Sequence, residues 1–339
     1  EEKTKMTAVV ALMAVFSLGI CFIIIGSISE EMRRGLGITY AQIGSLVSAL
    51  FLTSMIVQMI IGPMVDKFGH KPLAILGFLV ASASMFILAS AQGFWLAFFA
   101  CILLGIGAMS LNTVGNTLIP VVLFEGKDPA RASNFGNAFF GLGYVLAPLL
   151  FSLFATLALG YRSGVSIIGV LFLILLLFAL GARYPQASTG FQLSTAVKLL
   201  GKAAVLIAAL ALFCYVSLEI SMGTWIKPYM TEILSGDKNP NPVANAGLVL
   251  SFFGVAMMVG RFLTASIKNL TAIGANVIAG VSLISILAVL LMILTQSAAL
   301  AIVAVILAGL AFAPIFPTIV GITFAKFEPT LYGSVFGII

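Results

Sequence analysis

The spacing of its charges constrains this chain more than any other feature. Stretches without Asp, Glu, Lys or Arg run over 6–29, 35–65, 72–124, 132–161, 163–182, 203–218, 239–260 and 269–325. The stretch at 203–218 resumes to 226 once Glu219 is passed. A helix rising 1.5 Å per residue crosses ~30 Å of hydrocarbon in ~20 apolar residues. Each stretch therefore has the length of a membrane span. The two longest hold two spans each, breaking at Gln92-Gly93 and around Thr295-Gln296-Ser297. Ten full spans result, and an eleventh begins near Thr330 and stops at Ile339. None alternates at period two, as the strands of a spanning barrel would. The fold class is an all-α polytopic membrane bundle.

Composition agrees. Of 339 residues, 61% are hydrophobic and 8% charged, so no polar coat is left for a water-exposed surface. That excludes a soluble enzyme and a disordered chain. The net charge of +6 comes from 17 bases against 11 acids scattered singly, so the basic stripe a nucleic acid would need is missing. Cys21, Cys101 and Cys214 lie in apolar stretches and read as small buried hydrophobes rather than a disulfide or metal set. With one histidine, no G-x-S-G and no paired aspartates within spans, the chain is not expected to be an enzyme.

Topology follows from the bases, which favour the cytoplasmic side. With the N-terminus inside, Lys3, Lys5, Lys67, Lys71, Lys127, Arg131, Arg183, Lys198, Lys202, Arg261, Lys268 and Lys326 fall inside. Arg33, Arg34, Arg162, Lys227 and Lys238 fall outside. A cytoplasmic N-terminus in a bacterial cell membrane is the expectation. The polar segment after the sixth span divides the chain into a six-helix half at 1–185, a cytoplasmic linker at 186–202 and a second half at 203–339. That half stops inside helix eleven, so the natural protein is expected to continue.

Between the second and third spans lies Gly62-Pro63-Met64-Val65-Asp66-Lys67-Phe68-Gly69-His70-Lys71. Its glycines permit a tight turn, Asp66 suits a base or a helix N-terminus, and Lys67 and Lys71 anchor the inner face. The pattern resembles the signature loop of the major facilitator superfamily, whose transporters have two six-helix halves. Further elements extend the resemblance. They are Gly107 to Asn116 in the fourth span, Arg131 to Gly143 in the fifth, Met258-Val259-Gly260-Arg261-Phe262 in the eighth and Gly309 to Thr318 in the tenth, with Gly333-Ser334 beyond. Together they are similar to the fucose–glucose–galactose permease branch of that superfamily.

The resemblance implies gating by Gly62, Asp66, Lys67, Gly69 and Lys71, with Arg261 as their second-half counterpart at the inner end of the eighth span. Asp66 is expected to meet the start of helix eleven around Thr330 to Gly333. The resemblance also implies a substrate site at Asn112 and Asn137, where proton-coupled relatives carry an acid and a glutamine. Asn112 cannot titrate, but each amide donates and accepts hydrogen bonds. Asn112 and Asn116 lie four apart on one helix face, and the alternative for all three asparagines is interhelical glue.

Glu219 is a carboxylate within the seventh span. Such residues are costly in hydrocarbon and usually face the bundle interior or a watery cavity, so it is a candidate for substrate or for a coupling ion, proton or sodium. A place near the outer interface is the alternative. Trp225 is assigned either to stacking on a sugar or to an interfacial belt. Glu30 and Glu31 are assigned to a solvated outer loop.

The expectation is a secondary active transporter moving a small neutral polar solute, a monosaccharide first, by alternating access and as a monomer. Neutrality rests on the absence of an intramembrane Arg or Lys to clamp an anion. No cofactor is called for beyond the coupling ion. The alternatives are a multidrug or metabolite exporter of the same fold and a non-transporting membrane receptor. The partners are a small-molecule substrate and the lipid bilayer.

Overall fold

A computed structural model describes residues 2–186 and 190–339, with residues 2–4 by backbone only. Residues 187–189 of the expected linker, and the Lys3 side chain, lie outside the described residues. The helices are α1 Glu2–Ser27, α2 Ser29–Leu36, α3 Tyr40–Phe68, α4 His70–Ser90, α5 Phe94–Val122, α6 Pro129–Thr156 and α7 Tyr161–Gly181. After the linker come α8 Leu193–Lys198, α9 Ala203–Gly236, α10 Pro242–Ala265, α11 Leu270–Leu294, α12 Ala298–Phe312, α13 Ile315–Phe324 and α14 Tyr332–Ile338.

Among the described residues, ten helical segments are long and apolar enough to span a membrane, and no strand is present. Both expected breaks fall between helices, one between Ser90 and Phe94 and the other between Leu294 and Ala298. Local chemistry sets these ends. Thr39 accepts from the Gln42 N–H, and the Gln42 side chain accepts from the Thr39 N–H, a reciprocal cap that starts α3. Asp128 caps α6 with Pro129 at its first position. Gly69 ends α3 at φ 85°, a conformation that favours glycine, and α4 starts directly after it.

Two features depart from a simple reading. The segment after the first span is an amphipathic helix, α2, on whose buried face Glu30 lies. The tenth span is broken between α12 and α13, where Pro314 and Pro317 supply no N–H to the carbonyls of Leu310 and Ala313.

The first seven helices meet the later ones chiefly through α6, which packs along α10 and against α13. Helix α3 packs against α14, and α1 across α9. Small residues let these backbones close. A Cβ on Gly254 would stand 2.4 Å from the Tyr144 carbonyl carbon, and one on Gly62 would stand 2.4 Å from the Gly333 oxygen. Helix α11 by contrast turns most of its surface outward to lipid.

Candidate functional site

A cavity of about 770 Å³ lies between the two sets of helices, lined by α1, α3, α5 and α6 on one side and α9, α10, α13 and α14 on the other. Most of its wall is apolar, with Phe22, Phe51, Met55, Phe140, Phe213 and Phe316 prominent. Five side chains in it carry amide or charged groups: Gln58, Asn112, Asn137, Glu219 and Arg261.

The amides form a directed chain. Asn137 Nδ2 donates to Asn116 Oδ1 at 2.8 Å, Asn116 Nδ2 to Asn112 Oδ1 at 2.8 Å, and Asn112 Nδ2 to Gln58 Oε1 at 3.2 Å. Gln58 Nε2 donates in turn to the Phe336 carbonyl at 2.9 Å, across to α14. Asn112 and Asn137 face the cavity, so the predicted site residues on α5 and α6 do converge there. Asn116 stands behind them, 1% exposed and bonded to both. It orients the other two and is not a lining residue, a correction to its assignment as a contact.

Trp225 is also corrected. It lies outside the cavity wall, 39% exposed, with its ring edge 3.7 Å from where a Gly44 Cβ would stand. Six residues past Glu219, it lies some 240° round the helix, given ~100° per residue.

Arg261 is the largest correction. It lies near the end of α10, as expected, but turns inward, 1% exposed, with its guanidinium 5.0 Å above the Phe140 ring. Nε donates to the Ala313 carbonyl at 2.8 Å and Nη1 to the Asn137 carbonyl at 3.0 Å, so one cation holds backbone on both sides of the cavity. The helical partner of the Ala313 carbonyl would be the N–H of residue 317, which is proline. Gly260 lets α10 reach it, since a Cβ there would stand 2.5 Å from Ala313 Cβ. The G-R-F and F-P-T elements are thus halves of one contact. Thr318 adds a second, accepting from Asn134 Nδ2 at 3.0 Å.

Glu219 is 3% exposed and lines the cavity, with Oε1 3.9 Å from Arg261 Nη2 and no hydrogen-bond partner. The hydroxyls of Tyr144 and Tyr215 lie within electrostatic reach of this pair, the Tyr215 hydroxyl beside both the carboxylate and the guanidinium. The carboxylate is interior and not interfacial.

Two separate polar contacts join the first seven helices to the later ones. In one, Asp66 accepts from the Gly333 and Ser334 amides at 3.0 and 2.8 Å and from the Ser334 hydroxyl at 2.6 Å. It therefore caps first-turn amides that have no helical partner, at the place expected from the loop. Gly62 packs there against Gly333 and Gly337, and Gly69 makes the turn. Lys67 and Lys71 are exposed and only border this closure.

In the other, Lys227, 1% exposed, bonds both Glu31 oxygens at 2.8 and 3.0 Å and the Ser27 carbonyl at 2.5 Å. Glu30 accepts from the Tyr40 hydroxyl at 2.7 Å and pairs with Arg33 at 3.3 Å. The loop read as solvated is instead a built clasp. Sequence reasoning missed Lys227, Glu31 and Gln58. For Gln58 a signal existed, because 58, 62 and 66 share one helical face.

The family described as Major Facilitator Superfamily matches residues 10–339. A TsgA homolog of Erwinia tasmaniensis is 21% identical over 250 residues, covering 74% of this chain and 62% of that protein. The quinolone resistance protein NorA of Staphylococcus aureus is 28% identical over 138 residues, covering 39% of this chain and 35% of NorA. Both matches span less than two thirds of the relative's length.

Among solved structures, the nucleoside transporter NupG superposes with a TM-score of 0.71 at 18% identity, covering 99% of this chain and 86% of that one. The E. coli fucose:proton symporter FucP gives 0.68 at 18% identity, covering 98% and 88%. At such identities the likeness shows the fold. The protein is integral to a membrane, and the chain belongs to the Major Facilitator Superfamily.

Proposed function

We propose that this protein is a secondary transporter that moves a small neutral polar solute, a monosaccharide or similar polyol first, by alternating access. The observation that carries the reading is the Glu219–Arg261 pair in the wall of a cavity flanked by Asn112, Asn137 and Gln58. The spans do hold bases, since Arg261 and Lys227 are both buried within them. In the cavity wall the Arg261 charge stands beside the opposite charge of Glu219, so a neutral solute leaves both compensated. Hydroxyls suit the remaining groups, since amides, a carboxylate and a guanidinium offer donors and acceptors together. A volume of about 770 Å³ is within the ordinary range for small-molecule sites. FucP and NupG, by their names, handle a sugar and nucleosides, both polyhydroxylated.

Glu219 is the group assigned to the coupling ion, proton or sodium. The N-terminus is assigned to the cytoplasm. Arg261 and Lys227 are buried in the bundle and drop out of the topology count, one from each side, and the inner bases still predominate. Asp66 then closes the inner end and Lys227 the outer.

Export of apolar compounds is the second reading, favoured by the NorA match and the phenylalanine-rich wall. Counterflow in liposomes separates the two. Radiolabelled hexoses and nucleosides should exchange and be displaced by unlabelled polyols. Displacement by hydrophobic cations, with no hexose or nucleoside flux, would favour the exporter. No flux of either kind would leave a receptor.

A further inference from the structure

Gln58 links the Asn112 amide on α5 to the backbone of α14. It lies on α3 two turns before Asp66, half-buried at the cavity edge. Its Oε1 accepts from Asn112 Nδ2 at 3.2 Å, and its Nε2 donates to the Phe336 carbonyl on α14 at 2.9 Å. Backbone approach is tight at this level, since a Cβ on Gly337 would stand 3.0 Å from the Gln58 carbonyl oxygen. Asn112 itself makes no hydrogen bond to α14. Its amide nitrogen reaches Gln58 and the Met109 sulfur at 3.7 Å, and its oxygen accepts from Asn116.

We infer that Gln58 is a positioning residue that couples solute occupancy at Asn112 to the closure of α3 on α14. The Asn112 amide fixes the Gln58 oxygen, and so aims the Gln58 nitrogen at the Phe336 carbonyl. The second N–H of Asn112 has only a thioether, a weak acceptor. A solute hydroxyl is a better partner, and rotating the planar amide to meet it lengthens the 3.2 Å bond to Gln58. Gln58 then keeps one fixed partner instead of two, its bond to Phe336 weakens, and the Asp66 clasp one turn beyond Gly62 carries the closure alone. Binding therefore loosens the end through which solute leaves on import. The inference rests on alternating access and not on the identity of the solute.

The experiment uses no solute, so a wrong solute class leaves it intact. Amide hydrogen exchange of 332–338 is followed in the full chain in lipid nanodiscs, with α10 as the internal reference. Gln58→Leu should speed exchange of 332–338 about five-fold, the equivalent of one hydrogen bond of about 1 kcal/mol, and leave α10 at the parent rate. Asn112→Leu should speed it as well, although it removes no bond to α14. The double variant should be no faster than Gln58→Leu, because both act through one bridge. Parent exchange in either single variant would overturn the inference, and so would effects that multiply in the double. Should Gln58→Leu not fold, Gln58→Glu keeps the acceptor for Asn112 and sets an oxygen against the Phe336 carbonyl. It too must speed exchange of 332–338, and a parent rate there overturns the proposal.

Discussion

Arg261 Nη2 stands 3.9 Å from Glu219 Oε1 with both side chains almost fully buried. The separation allows Coulomb attraction but exceeds a hydrogen bond. The partners are unequal. The guanidinium is fixed by the Ala313 and Asn137 carbonyls, whereas Glu219 Oε1 is bound to nothing. A fixed cation beside a carboxylate with one free oxygen leaves the carboxylate as the member that can exchange its counter-charge, for a proton or a metal cation, without dismantling the bundle.

Glu219→Gln keeps shape and hydrogen bonding but removes the charge. Accumulation of solute against a gradient should be abolished, and counterflow exchange should survive at least in part. Uphill accumulation equal to the parent's, measured in proteoliposomes with an imposed ion gradient, would return Glu219 to a structural role.

Arg261→Met should cost stability as well as transport. It strands the Ala313 carbonyl and leaves Glu219 without a counter-charge, and unpaired buried groups cost about 1–3 kcal/mol each. Adding Glu219→Gln removes the stranded charge, so the double variant should regain part of the loss. Thermal unfolding of the three proteins checks the order. A double variant less stable than Arg261→Met would contradict it.

Asp66→Asn retains size but replaces one acceptor oxygen with an NH₂ that faces other donors. Three hydrogen bonds to a carboxylate are disturbed, each worth about 1.5–3 kcal/mol when charged. The Asp66 end should open more often and transport should fall, with folding largely intact. Thiol labelling of a cysteine placed at Val335, buried in α14, reads the opening. Unchanged labelling and transport would exclude the clasp.

Two glycines should act on opposite ends. A methyl at Gly62 would meet the Gly333 oxygen at 2.4 Å, and one at Gly26 the Gly223 oxygen at 2.1 Å. Neither backbone can yield locally, so Gly62→Ala should part α3 from α14 near Asp66, and Gly26→Ala should part α1 from α9 near Lys227. Labelling from the two faces of oriented vesicles should rise on opposite sides. A rise on the same side for both would refute the assignment.

The spans were legible because a bilayer imposes one rule on every residue along a fixed length. Glu219 was legible for the same reason, since a lone carboxylate in an apolar run has few places to go. Asp66 could be placed because its loop fixes both the turn and the charge. Arg261 was misplaced for a physical reason as well. A base near the end of an apolar run looks the same whether it snorkels to water or turns inward, and only the carbonyl freed by Pro317 on a helix 56 residues away decides between them.

Charge spacing, proline and capping residues act within a few turns, and they were enough to set the number of spans, most of their ends and the buried acid. Tertiary structure alone decided which polar groups meet. It turned Asn112 and Asn137 to the cavity while setting Asn116 behind them, and it excluded Trp225. It also joined Lys227 to Glu31 across 196 positions and Gln58 to Phe336 across 278. Those contacts depend on how closely glycine-bearing helices approach and at what rotation. Both are set by packing between distant segments, which no local pattern along the chain encodes.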